Sequence, residues 1–383
     1  MEPSCAASWA ASWAGGILSI DLDAIAANYR LLRDRAAPAF CAAVVKADGY
    51  GLGASMVAGR LQAEGCRHFY VAHLAEGVAL RESVAPGHAI YVLNGPPPGT
   101  CGEFERHGLT PVLNSVAQVA QWQALAAVAG RPLPAVLQFD TGMSRFGLSL
   151  EEMRELAADP GGLAGIVPVL LISHLGCADT PAHPGNSAQH ARFEQFRALM
   201  PGVPASLAAS SGSFLGPDYL YDMIRPGAAL YGINPVPGQP NPMRAVVRLQ
   251  GRIVQTRWIE PGTGVGYGAA FVASVRSRIA MVAIGYADGW MRTLGGRGFA
   301  TLSSGTGMRF PIVGRISMDS LALDVTALGD TALPAGAGID LIGTHCSVDD
   351  AAAAAGTIGY EMLTSLGQRY HRHYLGQDQG QVA

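Results

Sequence analysis

Between residue 40 and about residue 230, short apolar runs alternate with stretches of helical periodicity. This alternation restricts the fold more than any other feature of the chain. The apolar runs fall at 40–45, 69–72, 89–93, 111–113, 135–139, 167–173, 205–208 and 228–232. Helical patterns lie between them at 54–64, 75–84, 115–128, 150–158 and 188–199. Strands that alternate with helices form a parallel sheet. About eight such units in roughly 200 residues suit a closed barrel better than an open sheet. No Gly-x-Gly-x-x-Gly follows the first of these runs, which weighs against an open dinucleotide-binding sheet. Upstream, 17–22 alternates like a strand, and Asp21 and Asp23 offer N-cap chemistry for a helix through Arg33. The pattern changes at Gln239-Pro240-Asn241-Pro242, a linker signal. Beyond it, short runs at 246–253, 279–284, 299–302, 312–313, 321–325 and 339–342 alternate with glycine-rich turns, and 351–355 and 360–366 read as short helices. The expected fold is α/β: a (β/α)8 TIM-type barrel over 17–240, then a mostly antiparallel β domain over 241–383. The first strand can join either, and 1–16 reads as a disordered tail.

Composition narrows the function. Of 383 residues, 49% are hydrophobic and only 14% charged, which fits a globular chain with a large core. The formal net charge of −3 comes without a basic tract, so nucleic acid and anionic membrane are poor partners. The six cysteines lack Cys-x-x-Cys spacing and suggest neither a zinc site nor a disulfide framework. No stretch reads as a secretory signal or a membrane span, which leaves a cytoplasmic enzyme as the expectation.

In a barrel of this kind the reacting groups sit at the C-terminal ends of the strands. The first strand ends in Val44-Val45-Lys46-Ala47-Asp48-Gly49-Tyr50-Gly51-Leu52-Gly53. A lysine at the exit of a buried strand is costly unless it has a partner or a reaction. Desolvation lowers its pKa and frees the amine as a Schiff-base nucleophile. A lysine that snorkels past the strand end is equally consistent with the spacing. Other strand ends carry Asp140-Thr141-Gly142-Met143-Ser144-Arg145, Ser173-His174, Ser210-Ser211-Gly212 and Arg225-Pro226-Gly227. Polar groups in loops commonly satisfy backbone, so each alone reads as structural. Four on one rim read as a site.

The decapeptide around Lys46 closely resembles the pyridoxal-phosphate lysine motif of the bacterial alanine racemases. The resemblance extends over about residues 17 to 375. It implies a pyridoxal-phosphate enzyme with a (β/α)8 barrel and a second, β-rich domain. Lys46 is then the Schiff-base lysine and one catalytic base. Gly264-Val265-Gly266-Tyr267-Gly268 is similar to the loop carrying the second base, Tyr267. The family's roles fall on Arg145 for the substrate carboxylate, on His174 beside the cofactor ring, and on Arg225 facing the pyridine nitrogen. The phosphate donors carried over are Tyr50, Ser211, the Gly227 and Ala228 amides, and Tyr360. Met318 belongs to the substrate pocket, within Val313-Gly314-Arg315-Ile316-Ser317-Met318-Asp319, and Asp319 supports it. The family also implies a homodimer whose subunits complete each other's sites, and D-alanine supply for peptidoglycan.

Three positions depart from the family pattern. Gln138 stands where a carbamylated lysine usually holds the arginine, and is expected to serve as a neutral acceptor. Ser210 replaces an asparagine, and Ser317 a cysteine. Two alternative activities remain open: racemisation of another small amino acid such as serine, or of several, and amino-acid decarboxylation on the same layout. Arg225 weighs against decarboxylation, because a guanidinium can only donate and those enzymes usually protonate the ring nitrogen with a carboxylate. A non-catalytic pyridoxal-phosphate carrier would lack a β domain of this size.

Overall fold

A computed structural model describes residues 13–302 and 307–376. Most of the expected tail, residues 1–12, lies outside the described residues. The chain divides into two compact units, one of residues 24–244 and one of residues 1–23 with 245–383.

The first unit is a parallel β/α barrel. Its strands are β2 (Phe40–Cys41), β3 (Ala43–Val44), β4 (His68–Val71), β5 (Ala89–Val92), β6 (Thr110–Leu113), β7 (Leu133–Gln138), β8 (Ile166–Ile172), β9 (Ala205–Ser206) and β10 (Met223–Ile224). The strands β3 to β9 form a seven-stranded sheet in sequence order. The ring then closes through β10. Its two sides are bonded to the seventh and first strand segments: Asp222 N–H donates to Ala205 O (3.0 Å) and Arg225 N–H to Ala208 O (2.9 Å), while Phe40 N–H donates to Asp222 O and Ala42 N–H to Ile224 O (both 2.9 Å). Helices follow the strands, as crossover geometry requires. They include α2 (Ala54–Ala63), α3 (Leu74–Arg81), α4 (Cys101–Arg106), α5 (Val116–Ala129), α6 (Leu150–Ala158) and α7 (Pro184–Leu199), after α1 (Leu22–Ala36). Ser115 caps α5 by accepting from Gln118 N–H, and Ser149 and Glu152 form a capping box on α6.

One expected strand is absent. Residues 228–232 do not extend the barrel: Ala228–Tyr231 is a 3-10 turn, held by Leu230 N–H on Gly227 O (2.8 Å) and ended by Gly232 at φ 84°. The eighth strand is Met223–Ile224, whose two-residue length gave no run to read. The helix α4 also escaped the periodicity, because six residues give less than two turns of pattern.

The second unit is built on an eight-stranded sheet, with order β14-β17-β16-β15-β18-β11-β1-β19. These are β1 (Gly16–Asp21), β11 (Val247–Ile259), β14 (Ser277–Val282), β15 (Phe299–Thr301), β16 (Arg309–Val313), β17 (Leu321–Asp324), β18 (Gly338–Ile342) and β19 (His371–Leu375). A hairpin of β12 (Gly264–Val265) and β13 (Phe271–Val272) stands apart from it. All pairings are antiparallel except β1 with β19. The 13-residue β11 breaks register between Ile253 and Gln255, so its first part pairs with β1 and β18 and its second with β14. That bend curls the sheet back onto itself. The first strand of the chain therefore belongs to this sheet. The helices α8 (Val348–Ala355) and α9 (Gly359–Ser365) complete the unit.

The barrel wall near the Arg145 loop rests on Phe139, stacked on Phe196 of α7 with centroids 4.4 Å apart, both fully buried. Phe196→Ala should destabilise the chain by about 3–5 kcal/mol through lost burial and a residual cavity. A denaturant midpoint that stays at the wild-type value would contradict this packing.

Candidate active site

After β3 the chain makes one turn of left-handed helix. Ala47, Asp48, Gly49 and Tyr50 have φ of 53°, 54°, 62° and 56°. Gly49 N–H closes the turn on Val45 O at 2.9 Å. This conformation costs about 1–2 kcal/mol for each L residue, and three of the four have side chains. Neighbours therefore hold it. Asp48 accepts from Gly53 N–H through its carbonyl and from Ala54 N–H through its carboxylate, both at 2.8 Å. Glu76 of α3 accepts from Ala47 N–H at 2.7 Å. The turn starts at Lys46, which is half-buried. Burial, and then the cation of Arg145, hold its pKa below the ordinary lysine value, while the Glu76 carboxylate works the other way.

Three of the other expected residues crowd the same rim. His174 follows β8, and its pKa is pushed down to about 3, first by burial and then by the cations of Arg225, Arg145 and Lys46. Arg225 follows β10 and is buried. Its guanidinium donates to the carbonyl and hydroxyl oxygens of Ser206 and to Ser173 O. Its Nε–H has no hydrogen-bond partner among the described residues. Its burial lowers its pKa, with the Tyr70 phenol opposing.

Tyr50 packs on Tyr231 with centroids 4.6 Å apart, and Tyr231 donates to Val44 O at 3.1 Å. A Cβ on Gly227 would lie 2.2 Å from the Tyr50 hydroxyl, so only glycine lets the backbone pass this close. The Ser210 hydroxyl accepts from Gly227 N–H and Ala229 N–H, both at 3.1 Å. Of the two amides expected to face an anion, the Gly227 N–H is thus engaged by Ser210. Ser211 is half-buried at the start of a 3-10 turn, Ser211–Phe214.

Gln138, Asp140, Met143, Arg145, Ser173 and His174 line one pocket. Among the described residues no hydrogen bond joins the Gln138 side chain to Arg145. The Arg145 loop is shaped instead by the Asp140 carboxylate, which accepts from the N–H groups of Gly142, Met143 and Ser144 at 2.8, 3.0 and 3.0 Å. Gln189 of α7 ties this loop to His174: its amide nitrogen donates to Thr141 Oγ1 and His174 O at 3.0 Å each, and its oxygen accepts from Gly176 N–H at 2.8 Å. Neither Gln189 nor Ser206 carried a signal in the sequence. A glutamine within a helix and a serine within a two-residue strand have many ordinary uses.

The remaining expected residues lie in the second unit. Tyr267 is 71% exposed, between Gly266 at φ 71° and Gly268 at φ 68°. Met318 and Tyr360 are also exposed. Asp319 pairs with Arg369 at 2.7 Å, and Arg369 also reaches Asp288 at 3.1 Å. The Met318 carbonyl accepts from Ala287 N–H at 3.0 Å.

Residues 20–235 match the family model for the alanine racemase N-terminal domain, and residues 246–374 match that for the alanine racemase C-terminal domain. The chain belongs to the alanine racemase family. It is 53% identical over 363 residues to a catabolic alanine racemase of Mesorhizobium japonicum, covering 95% of this chain and 94% of that one. It is 48% identical to an alanine racemase of Rhodospirillum rubrum, covering 96% and 98%. Among solved structures it resembles the alanine racemase of Bartonella henselae with covalently bound pyridoxal phosphate, at a TM-score of 0.91 and 40% identity, covering 94% of this chain and all of that one. The two family models fall on the two compact units of the chain.

The lowered pKa of His174 has a consequence for stability. The folded chain keeps the imidazole neutral down to about 3, whereas the unfolded chain binds a proton near the ordinary 6.5. Stability contributed by this group is therefore complete above about 6.5 and is lost as pH falls below it. Melting temperature should drop more steeply between neutral pH and pH about 4.5 in the wild type than in His174→Gln. Parallel pH profiles for the two proteins would overturn this assignment.

Proposed function

We propose that the protein interconverts L- and D-alanine, with pyridoxal phosphate held at the barrel rim. One observation carries this reading: a half-buried lysine with a lowered pKa starts a left-handed turn at the end of the first barrel strand, within the field of the Arg145 cation. The rim fits such a group. Lys46 would hold it covalently. The close approach of Gly227 to Tyr50 leaves a cradle that a Cβ would fill, and Ser211, Tyr50 and the Ala228 amide would serve its phosphate. Arg225 retains donors for a ring nitrogen and, as a guanidinium, can accept neither a hydrogen bond nor a proton. Bound there, the cofactor ring would supply an electron sink for the carbanion left when an α proton departs.

The chain's own groups supply the rest. Arg145 would bind the substrate carboxylate with its planar fork. The Lys46 amine, its pKa held down by burial, would take or return the α proton at Nζ on one face. The Tyr267 phenol would do the same at Oη on the opposite face. Neutral His174 fits a role as hydrogen-bonding neighbour rather than as a charge. Because Arg225 can only donate, it would keep the ring nitrogen unprotonated and moderate the electron sink, which favours racemisation over decarboxylation. The exposure of Tyr267, Met318 and Tyr360 supports a homodimer in which a second copy covers them. Among the described residues no helix is long and apolar enough to cross a membrane, in keeping with work in the cytoplasm.

The D-alanine formed would feed cell-wall precursors. The name of the Mesorhizobium relative favours a second, catabolic role. Deleting the gene separates them: a D-alanine requirement supports supply, and loss of growth on D-alanine alone supports catabolism.

Borohydride should fix the cofactor to the wild-type chain and not to Lys46→Ala. Lys46 is the only lysine of the chain, so a borohydride-stable cofactor label retained by that variant would overturn the assignment. Tyr267→Phe should lose about 10²–10⁴-fold in rate. The loss should fall mainly on proton abstraction from one enantiomer, read by exchange of the α proton in heavy water. Equal, small losses for both enantiomers would sink the two-base reading. Release of carbon dioxide from amino acids, without racemisation, would favour the decarboxylase.

A further inference from the structure

Glu76 lies outside every motif that marks the site, yet its carboxylate touches the turn that begins with Lys46. One oxygen accepts from Ala47 N–H at 2.7 Å. The other accepts from Ala72 N–H at 2.7 Å and His73 N–H at 2.9 Å, at the end of β4 and the start of α3. The Ala47 N–H belongs to the peptide that follows Lys46, so this bond fixes the peptide plane from which the lysine side chain departs. Ala47 is also the first of the four left-handed residues. A loosened peptide at this point would let the turn relax toward the ordinary right-handed region, which would re-aim Lys46. The carboxylate is, besides, an acidic neighbour that acts on the Lys46 charge, against burial and Arg145.

We propose that Glu76 is the positioning residue for Lys46: one side chain that clamps the first and second strand ends together and sets the direction of the reactive amine. A helix-capping role alone would use only the oxygen that serves Ala72 and His73. The contact to Ala47, 29 residues away in sequence, has no place in a cap. The proposal rests on the reading of Lys46 as the cofactor lysine.

Glu76→Gln separates clamp from cap. Its one carbonyl oxygen can still serve Ala72 and His73, but its amide nitrogen would face Ala47 donor to donor. Glu76→Ala removes both contacts. Hydrogen exchange of the full chain, with and without added pyridoxal phosphate, is the first measurement. Exchange over residues 47–53 should rise about tenfold or more in both variants. Titration with pyridoxal phosphate is the second, and the variants should need at least about ten times more cofactor for half-saturation. In the saturated variants kcat should fall while KM for alanine stays within about twofold, because substrate binding does not depend on the clamp. Unchanged exchange over 47–53 in both variants would overturn the proposal, as would wild-type cofactor affinity in both. If the wild-type chain takes up no cofactor, the functional reading fails, while the exchange result still decides whether the clamp exists.

Discussion

The site depends on the seam that closes the barrel. Phe40, Ala42 and Val44 donate to Asp222, Ile224 and Pro226, each at 2.9 Å, and so join the chain's first barrel strand to its last. Parallel pairing leaves the two strands ending on the same side. Lys46 and Arg225 therefore leave the seam on the same rim, although 178 other residues separate them in sequence. The seam also brings Gly227 against Tyr50, which is the approach that only a residue without a Cβ permits. A one-residue slip of either strand here would turn that strand's side chains to the wrong face of the wall.

Electrostatics at the rim follow from what the seam collects. Burial does most to keep the His174 imidazole neutral, and Arg225, Arg145 and Lys46 all act on it in the same sense. Acidic residues are near but face backbone: Asp140 accepts from three amides of the Arg145 loop, and Glu76 from three amides around Lys46. The carboxylates build the loops, and the cations act together on His174. Gln138 fits this division, since a neutral side chain beside Arg145 takes no charge away from it.

Much of this architecture was legible because periodicity records burial. The helix at 150–158 could be read to its ends, since Ser149 and Glu152 cap it where the pattern begins. The glycines after Lys46 signalled close backbone, but not a left-handed turn, because Ala47, Asp48 and Tyr50 favour other conformations when isolated. The apolar run at 228–232 misled for a related reason. Its residues are buried, yet they are buried as a tight turn packed on Tyr50, and burial alone does not distinguish a strand from a turn. Arg145, His174 and Arg225 were visible through their strand-end positions. Glu76, Ser206 and Gln189 act through backbone groups far away in sequence, and a side chain that serves a distant amide leaves no local pattern.

The pairing of β1 bears on how the chain is made. This strand leaves the ribosome before the barrel, but its partners are β11 and β19, so Leu18 must await Leu249 and then Arg372. The barrel, by contrast, is one continuous segment, 24–244. Its parallel ring can assemble as soon as that segment has emerged, because domains generally fold as units during synthesis. The opening strand, with Leu18 and Ile20 on its apolar face, stays without its sheet through that interval. An unpaired strand of this kind is open to pairing with other chains. The shortness of β1, six residues, limits that exposure while it waits.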